Sequence, residues 1–294
     1  MTTTHELAHD VQAAAVDRSP AVGALEERPA RRRTSAQNRV LALCRRRRTV
    51  QLLVARDMKV RYASSTLGYV WSVLEPLLMS LIYWFIFTKV FHRSVGENPY
   101  IVFLLSGLLP WAWFTGGLTE GAKALRSEAK LVRSTNLPRE VWVLRVVMSK
   151  AVEFFLSLPV LFLFVAATGA PLNWRIVLLL PAAVMLAVLL VGLGLLLSPL
   201  MVLFNDLERI IKLALRLGFY MSPVVFTVKD VPKPFAGAFA ANPLAGIFEM
   251  MRAGFFPQQL EWAHVGASAV ACVLLLLIGW IVFAKLERPV LKEI

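Results

Sequence analysis

Six apolar stretches separated by blocks of positive charge constrain this chain more than any other feature. The longest, about Trp174 to Phe204, carries a single charge, Arg175, close to its start. A helix crosses the hydrocarbon core of a bilayer with about 20 apolar residues, so a run of this length reads as a span. The other stretches cover about 68–91, 100–118, 141–168, 210–228 and 264–284. The sequence therefore predicts an all-α polytopic membrane protein with six transmembrane helices. Pro110 and Pro159 fall inside two of them, which is tolerated where neighbouring helices or side chains satisfy the freed carbonyls.

The charge pattern sets the orientation. Of 294 residues 57% are hydrophobic and the mean hydropathy is +0.63, too high for an ordinary cytosolic domain, yet the net charge is +13. The basic residues stand in blocks between spans, and no nucleic-acid signature accompanies them, so the basicity reads as membrane orientation and lipid contact rather than nucleic-acid binding. The link between spans two and three holds Lys123, Arg126, Lys130, Arg133 and Arg139, with Arg145 and Lys150 just inside span three. Arg209, Lys212 and Arg216 follow span four, and Lys285, Arg288 and Lys292 follow span six. The links after spans one and three carry only Arg93 and Arg175 near their centres. The positive-inside rule then places both termini in the cytoplasm. Met1 to Asp10 is polar, so no cleavable leader is expected and the first span serves as the anchor. Cys44 lies in a basic region and Cys272 in an apolar run, which argues against a disulfide between them.

Three regions are expected. Residues 1–38, with Arg31, Arg32 and Arg33, read as a disordered basic cytoplasmic tail. Residues 39–64 read as an amphipathic interfacial helix, in which Val50, Leu53, Val54 and Met58 share one arc while Arg56 and Lys59 fall opposite. Asp57 and Arg61 intrude on the apolar arc, and their i,i+4 spacing lets them pair with each other. Residues 65–294 form the membrane domain. Between spans five and six, Lys229 to Trp262 is too apolar for a solvated loop and too broken by proline to span. It predicts two short re-entrant half-helices at the outer leaflet, one starting where Asn242 caps and Pro243 occupies the first helical position.

Two strings carry more specific information. The first is Arg56, Asp57, Lys59, Arg61 and Tyr62, followed by Leu67, Gly68, Trp71 and then Glu75 before Pro76. The second runs from Lys130 through Leu131, Val132, Arg133, Asn136, Leu137, Pro138 and Arg139 to Glu140. An R-D-x-K-x-R-Y string ahead of L-G-x-x-W, and an apolar residue then P-R-E in the link between spans two and three, resemble the ABC-2 type permeases of the Wzm and TagG kind. Those permeases export polysaccharides, O-antigens and teichoic acids. The likeness covers about residues 50–294, and the Arg- and Ala-rich tail is similar to that of actinobacterial members that export a galactan.

The resemblance implies a function and its partners. Two copies of the chain would form one channel above two copies of a separate ATP-binding subunit. ATP and Mg would bind that subunit, so this chain would need no cofactor or metal and would be no enzyme. A polyprenyl-diphosphate-linked glycan would move outward. Leu131, Val132, Arg133, Asn136, Leu137, Pro138, Arg139 and Glu140 would form the coupling segment that docks on the ATPase, Leu131 and Val132 filling a pocket and Arg133 and Arg139 pairing with acids. For Arg56, Asp57, Lys59, Arg61 and Tyr62, two readings stand side by side: a snorkelling belt that anchors the helix, and contact with the lipid diphosphate, for which Arg is suited. Glu75 would line the cytoplasmic gate. Tyr83, Trp84, Phe87, Trp111, Phe114, Phe219, Tyr220 and Phe226 combine an interfacial belt with candidate sugar-stacking faces.

Catalytic signatures are missing where an enzyme would need them. Gly116, Gly121 and Lys123 approach a phosphate loop, but Ala122 displaces the lysine and no Ser or Thr follows it. His5, His9, His92 and His264 do not stand at metal-ligand spacing. The competing classes are a drug- or lipid-exporting ABC-2 permease and an ion-coupled secondary transporter. For the latter, Glu75 and Glu153 are the intramembrane carboxylates to account for.

Overall fold

The computed structural model describes residues 46–63, 70–90 and 97–293, and the expected basic tail at 1–38 lies outside them. Among the described residues the secondary structure is helical. The helices are α1 (Arg47–Tyr62), α2 (Trp71–Phe85, continued by a π turn to Val90), α3 (Tyr100–Ala122), the short α4 (Ala124–Ser127) and α5 (Ala129–Ser134), and α6 (Glu140–Thr168). After a 3-10 turn at Trp174–Leu178 come α7 (Leu179–Leu203), α8 (Leu207–Met221), α9 (Lys233–Ala240), α10 (Pro243–Arg252) and α11 (Trp262–Glu293).

Four of these segments, Tyr100–Ala122, Glu140–Thr168, Trp174–Leu203 and Trp262–Glu293, are long and apolar enough to cross a membrane. They match the expected second, third, fourth and sixth spans. The expected first span appears as α2 with its π turn. The fifth appears as α8, which ends at Met221 rather than near Val228 because Ser222 is extended and Pro223 follows. The sixth runs to Glu293, nine residues beyond the expected end, because Ala284 to Glu293 continues the helix through its own charges and through Pro289.

The packing order follows side-chain size. α3 is buried along most of its length and forms the centre, against α6 and α7. The most extensive contact is α7 with α11. There a Cβ on Gly279 would fall 2.1 Å from the Gly192 carbonyl oxygen, and one on Gly192 would fall 2.7 Å from the Leu276 nitrogen. Two backbones this close require glycine on both sides, the usual way membrane helices gain contact when lipid supplies no hydrophobic drive. Outward faces carry Leu156, Leu163, Val184, Val270, Val273 and Leu277 exposed, apolar surface that a bilayer would cover. Gly169, at φ 66°, ends α6 in the left-handed conformation that favours glycine.

The two ends of the bundle differ. The basic end gathers α1, the end of α3, α4, α5, the start of α6 and the last turns of α11. The opposite end gathers α9, α10 and the start of α11. There the expected helix start is present: the Asn242 side chain accepts from the Leu244 N–H at 2.9 Å, and Pro243 occupies the first turn. Asn242 also donates to the Met221 carbonyl (3.1 Å) and Ser222 Oγ (2.9 Å), tying α10 to the end of α8.

Candidate functional site

At the basic end α1 lies on α6 with Val50 and Met58 buried. The two charges that break its apolar arc face the protein, and they do so for a reason the arc conceals. Asp57 turns to Arg145 of α6 (3.3 Å) and to its neighbour Arg56 (3.4 Å), instead of forming the expected pair with Arg61. Glu128, between α4 and α5, closes the circuit on Arg56 at 2.7 Å and on Arg145 at 3.0 Å. Arg56, Asp57, Arg145 and Glu128 thus form a closed ring of alternating charge.

One turn along α1 a second ring repeats the arrangement. Arg61 grips both oxygens of Glu120, at the end of α3, and its Nε lies 3.1 Å from Glu153. Lys150 contacts Glu120 and Glu153, each at 3.0 Å. Each ring holds two cations and two carboxylates and is neutral, and every member has two partners. That multiplicity offsets the desolvation cost that makes a lone buried ion pair a poor stabiliser. Each ring has a buried cation on α6, Arg145 at 6% and Lys150 at 11% exposed, and a more open arginine on α1, Arg56 at 40% and Arg61 at 31%. Both rings tie α1 to α6 and to a third element, the α4–α5 junction in one and the end of α3 in the other. Lys59, on the other side of α1, is exposed, and the Tyr62 side chain lies outside the described residues.

The coupling segment divides into an inner and an outer face. Val132, 1% exposed, packs into a cluster with Leu125, Trp142, Val143, Leu195, Phe283 and Val290, so it is used within the chain rather than offered to a partner. Leu131 and Leu137 rest half-buried on the same cluster. Arg139 is buried and donates back to the Thr135 carbonyl (2.9 Å), which fastens the turn before α6; Glu140 is buried beside it. Pro138 is half-buried, while Arg126, Lys130, Arg133 and Asn136 point outward. A third tie joins this region to the start of α8, ahead of the expected fifth span. Lys123 and Lys212 both contact Glu208 at 2.7 Å, and their ammonium groups hold its carboxyl down at about 2.

The aromatic candidates separate in the same way. Trp111 and Phe114 are buried and pack together, with Phe219 edge-on to Trp111. Phe226 meets Phe239 edge-on. Tyr220 is exposed, and Trp84 lies under the Lys89 ammonium at 5.9 Å. The Tyr83 and Phe87 side chains lie outside the described residues. Glu75 is exposed on α2.

At the opposite end Arg252, 2% exposed, donates to the carbonyls of Pro223 (2.7 Å) and Val224 (2.5 Å) and lies 3.9 Å over the Phe103 ring. Burial lowers its pKa to about 9, so it keeps its charge at neutral pH. Glu249 accepts from the Glu261 N–H at 3.1 Å and meets His264 Nδ1 at 2.7 Å, while burial raises its carboxyl above the ordinary range.

Sequence reasoning missed Glu120, Glu128, Arg252 and Glu249. The signal that could have found them is contrast. Between Thr119 and Glu140 the acids are only Glu120, Glu128 and Glu140 in an otherwise basic link, and Arg252 is a charge in an apolar helix.

Comparison with known proteins places this helical bundle with charge-tied helices at its basic end. The ABC-2 type transporter family matches residues 48–256, and the chain belongs to that family. It is similar to the O-antigen export system permease protein RfbA of Klebsiella pneumoniae, at 34% identity over 240 residues, 80% of this chain and 91% of the relative. The RfbA protein of Myxococcus xanthus is 31% identical over 227 residues, 76% and 86% of the two chains. The polysialic acid transport protein KpsM of Escherichia coli is 24% identical over 257 residues, 83% and 96%.

Proposed function

We propose that this chain is the membrane permease of an ATP-driven exporter that moves a polyprenyl-diphosphate-linked polysaccharide from the cytoplasm to the outer side of the membrane. Similarity over most of their length to an O-antigen export system permease protein and to a polysialic acid transport protein supports the glycan. In this reading the basic end is cytoplasmic, all six apolar segments cross, α9 and α10 lie at the outer leaflet, and two copies work above two ATP-binding subunits.

The observation that carries the mechanism is the pair of charge rings. An ATP-binding subunit pressing on Arg126, Lys130, Arg133 and Asn136 displaces α5. Glu128, at the start of α5, pulls on Arg56 and Arg145, and α1 follows. The first ring, which holds Glu128 at the start of α5, is the permanent tie. In the second, Glu120 is 38% exposed, and Arg61 exchanges that carboxylate for a phosphate oxygen of the substrate, a bidentate swap that guanidinium geometry favours. Arg61 then combines the two roles that the sequence leaves open, anchor and diphosphate contact. Tyr220, exposed on the chain's surface, lines the path, whereas Trp111 and Phe114 support it from within.

Reconstitution tests the proposal. The permease with its ATPase subunit, in vesicles loaded with lipid-linked glycan, is expected to expose the glycan on the far side only with ATP and Mg. Export by the permease alone on a proton gradient would contradict it.

A further inference from the structure

The end of α11 takes part in no step described so far. A helix of 32 residues is ~48 Å long at 1.5 Å per residue, whereas the hydrocarbon core is ~30 Å and each headgroup layer adds only ~6 Å. If the apolar part starts at Trp262, about 20 residues complete the crossing near Ile281, and the last turns reach past the headgroups. They are not loose. Phe283, Val290 and Leu291 surround the same residual void, ≈ 10 Å³, as Leu125, Val132 and Arg139 of the coupling segment. A void that small is at the lower edge of what one water needs, so helix and turn pack as one body.

The opposite face of these turns carries Lys285, Arg288 and Lys292, all exposed. They stand at i, i+3 and i+7 on one side of the helix. Across the shared apolar seam the coupling segment presents Arg126, Lys130 and Arg133, also exposed. None of the six has an ion-pair partner among the described residues, in contrast to the eight charges of the rings. Of the nearby acids, Glu128 is held in a ring, Glu287 lines the seam, and Glu293, exposed beside Lys292, leaves the last turns with three cations to one outward-facing carboxylate.

We infer that the last turns of α11 are the second half of the docking surface for the ATP-binding subunit, and that they fit an acidic patch on it through Lys285, Arg288 and Lys292. This rests on the proposed coupling role of the α4–α5 segment. A protein surface is favoured over lipid because the cations at Arg288 and Lys292 lie beyond the headgroup layer and are continuous with the coupling face. The consequence is that the partner grips the turn and its backing helix together, so its push also reaches α7, which packs along α11.

The test is co-purification of the ATPase subunit with full-length permease over a range of salt, for two sets of variants. The tail set combines Lys285→Glu, Arg288→Glu and Lys292→Glu; the turn set combines Arg126→Glu, Lys130→Glu and Arg133→Glu. The tail set is expected to cut recovered ATPase by about tenfold at low salt, with the difference shrinking as salt rises, while the amount of permease in the membrane is unchanged. Lys→Ala and Arg→Ala versions at the same positions give an intermediate loss and guard against misfolding by the reversed charges. ATPase recovery at the wild-type level from the tail set, with loss from the turn set, overturns this inference and leaves the coupling role standing. Full recovery from both sets overturns both. Wild-type ATPase recovery combined with weakened flotation on phosphatidylglycerol vesicles makes the patch a lipid contact and overturns the inference as well.

Discussion

The two ends of the bundle handle their buried cations in different ways. At the basic end eight charges are shared among α1, α3, the α4–α5 junction and α6, each with two partners. At the opposite end Glu249 meets His264, but Arg252 meets no carboxylate among the described residues; it is held by two carbonyls and the face of Phe103. Carbonyls and an aromatic ring fix one geometry, which suits a hub that stays put. Carboxylates can be exchanged for one another, or for phosphate, without stranding a charge, which suits elements that move.

The sharpest way to break the contrast is at the rigid hub. A Cβ at Gly107 would meet the Arg252 guanidinium at 2.2 Å and the Val224 carbonyl oxygen at 2.5 Å. Gly107→Val is therefore expected to expel Arg252 and leave its two carbonyls unpaired, at a cost of about 3–5 kcal/mol. Thermal unfolding in detergent would show little or no folded protein; a near-normal melt would mean that the hub is soft.

Next comes the first ring, at its buried member Arg145. Arg145→Ala leaves Asp57 and Glu128 facing each other's charge at a cost of about 3 kcal/mol. Adding Glu128→Ala is expected to recover part of it, which a double-mutant cycle on the melting temperature measures; strict additivity would dissolve the ring. In the second ring the carboxylate at Glu120 is 38% exposed and worth less. Glu120→Gln is expected to cost at most about 1 kcal/mol after solvent screening, yet to alter export more than stability, which a glycan-export assay beside the melt separates. The smallest effect concerns the α8 tether. The Glu208 carboxyl is held at about 2, below its ordinary 4.5. Its tie to Lys123 and Lys212 is thus fully present above about pH 4.5 and is lost as the pH falls towards 2. Protease cleavage of the turn at Asn205 and Asp206 should therefore be insensitive to pH between about 7 and 5, and onset in that range would refute the tie.

Much of this architecture is legible in the sequence because the bilayer imposes it. Four of the apolar runs return as helices long enough to cross, and the start of α10 follows from Asn242 and Pro243. What the sequence conceals is pairing between elements. Asp57 and Arg61 stand out as defects in a helical arc, but nothing in one dimension says that Arg145 and Glu120 answer them. An i,i+4 rule finds only the local partner, and the fold takes the distant ones because α1 lies against α6. Val132 and Arg139 carry the same ambiguity. An apolar and a basic residue in a cytoplasmic link suit a partner or the chain itself, and the extra turns of α11, which bury Val132, have no signal in the apolar run that ends near Ala284.

The claim on which the mechanism turns is that the first ring makes α1 move with the α4–α5 segment. Spin labels at Leu52 and Lys130, both exposed, report the separation of those two elements in the complex with the ATPase subunit. The expected result is one narrow distance distribution that is unchanged between nucleotide-free and ATP-bound complex, and that broadens with ATP in Arg145→Ala. A wild-type distance that shifts on ATP binding would contradict it.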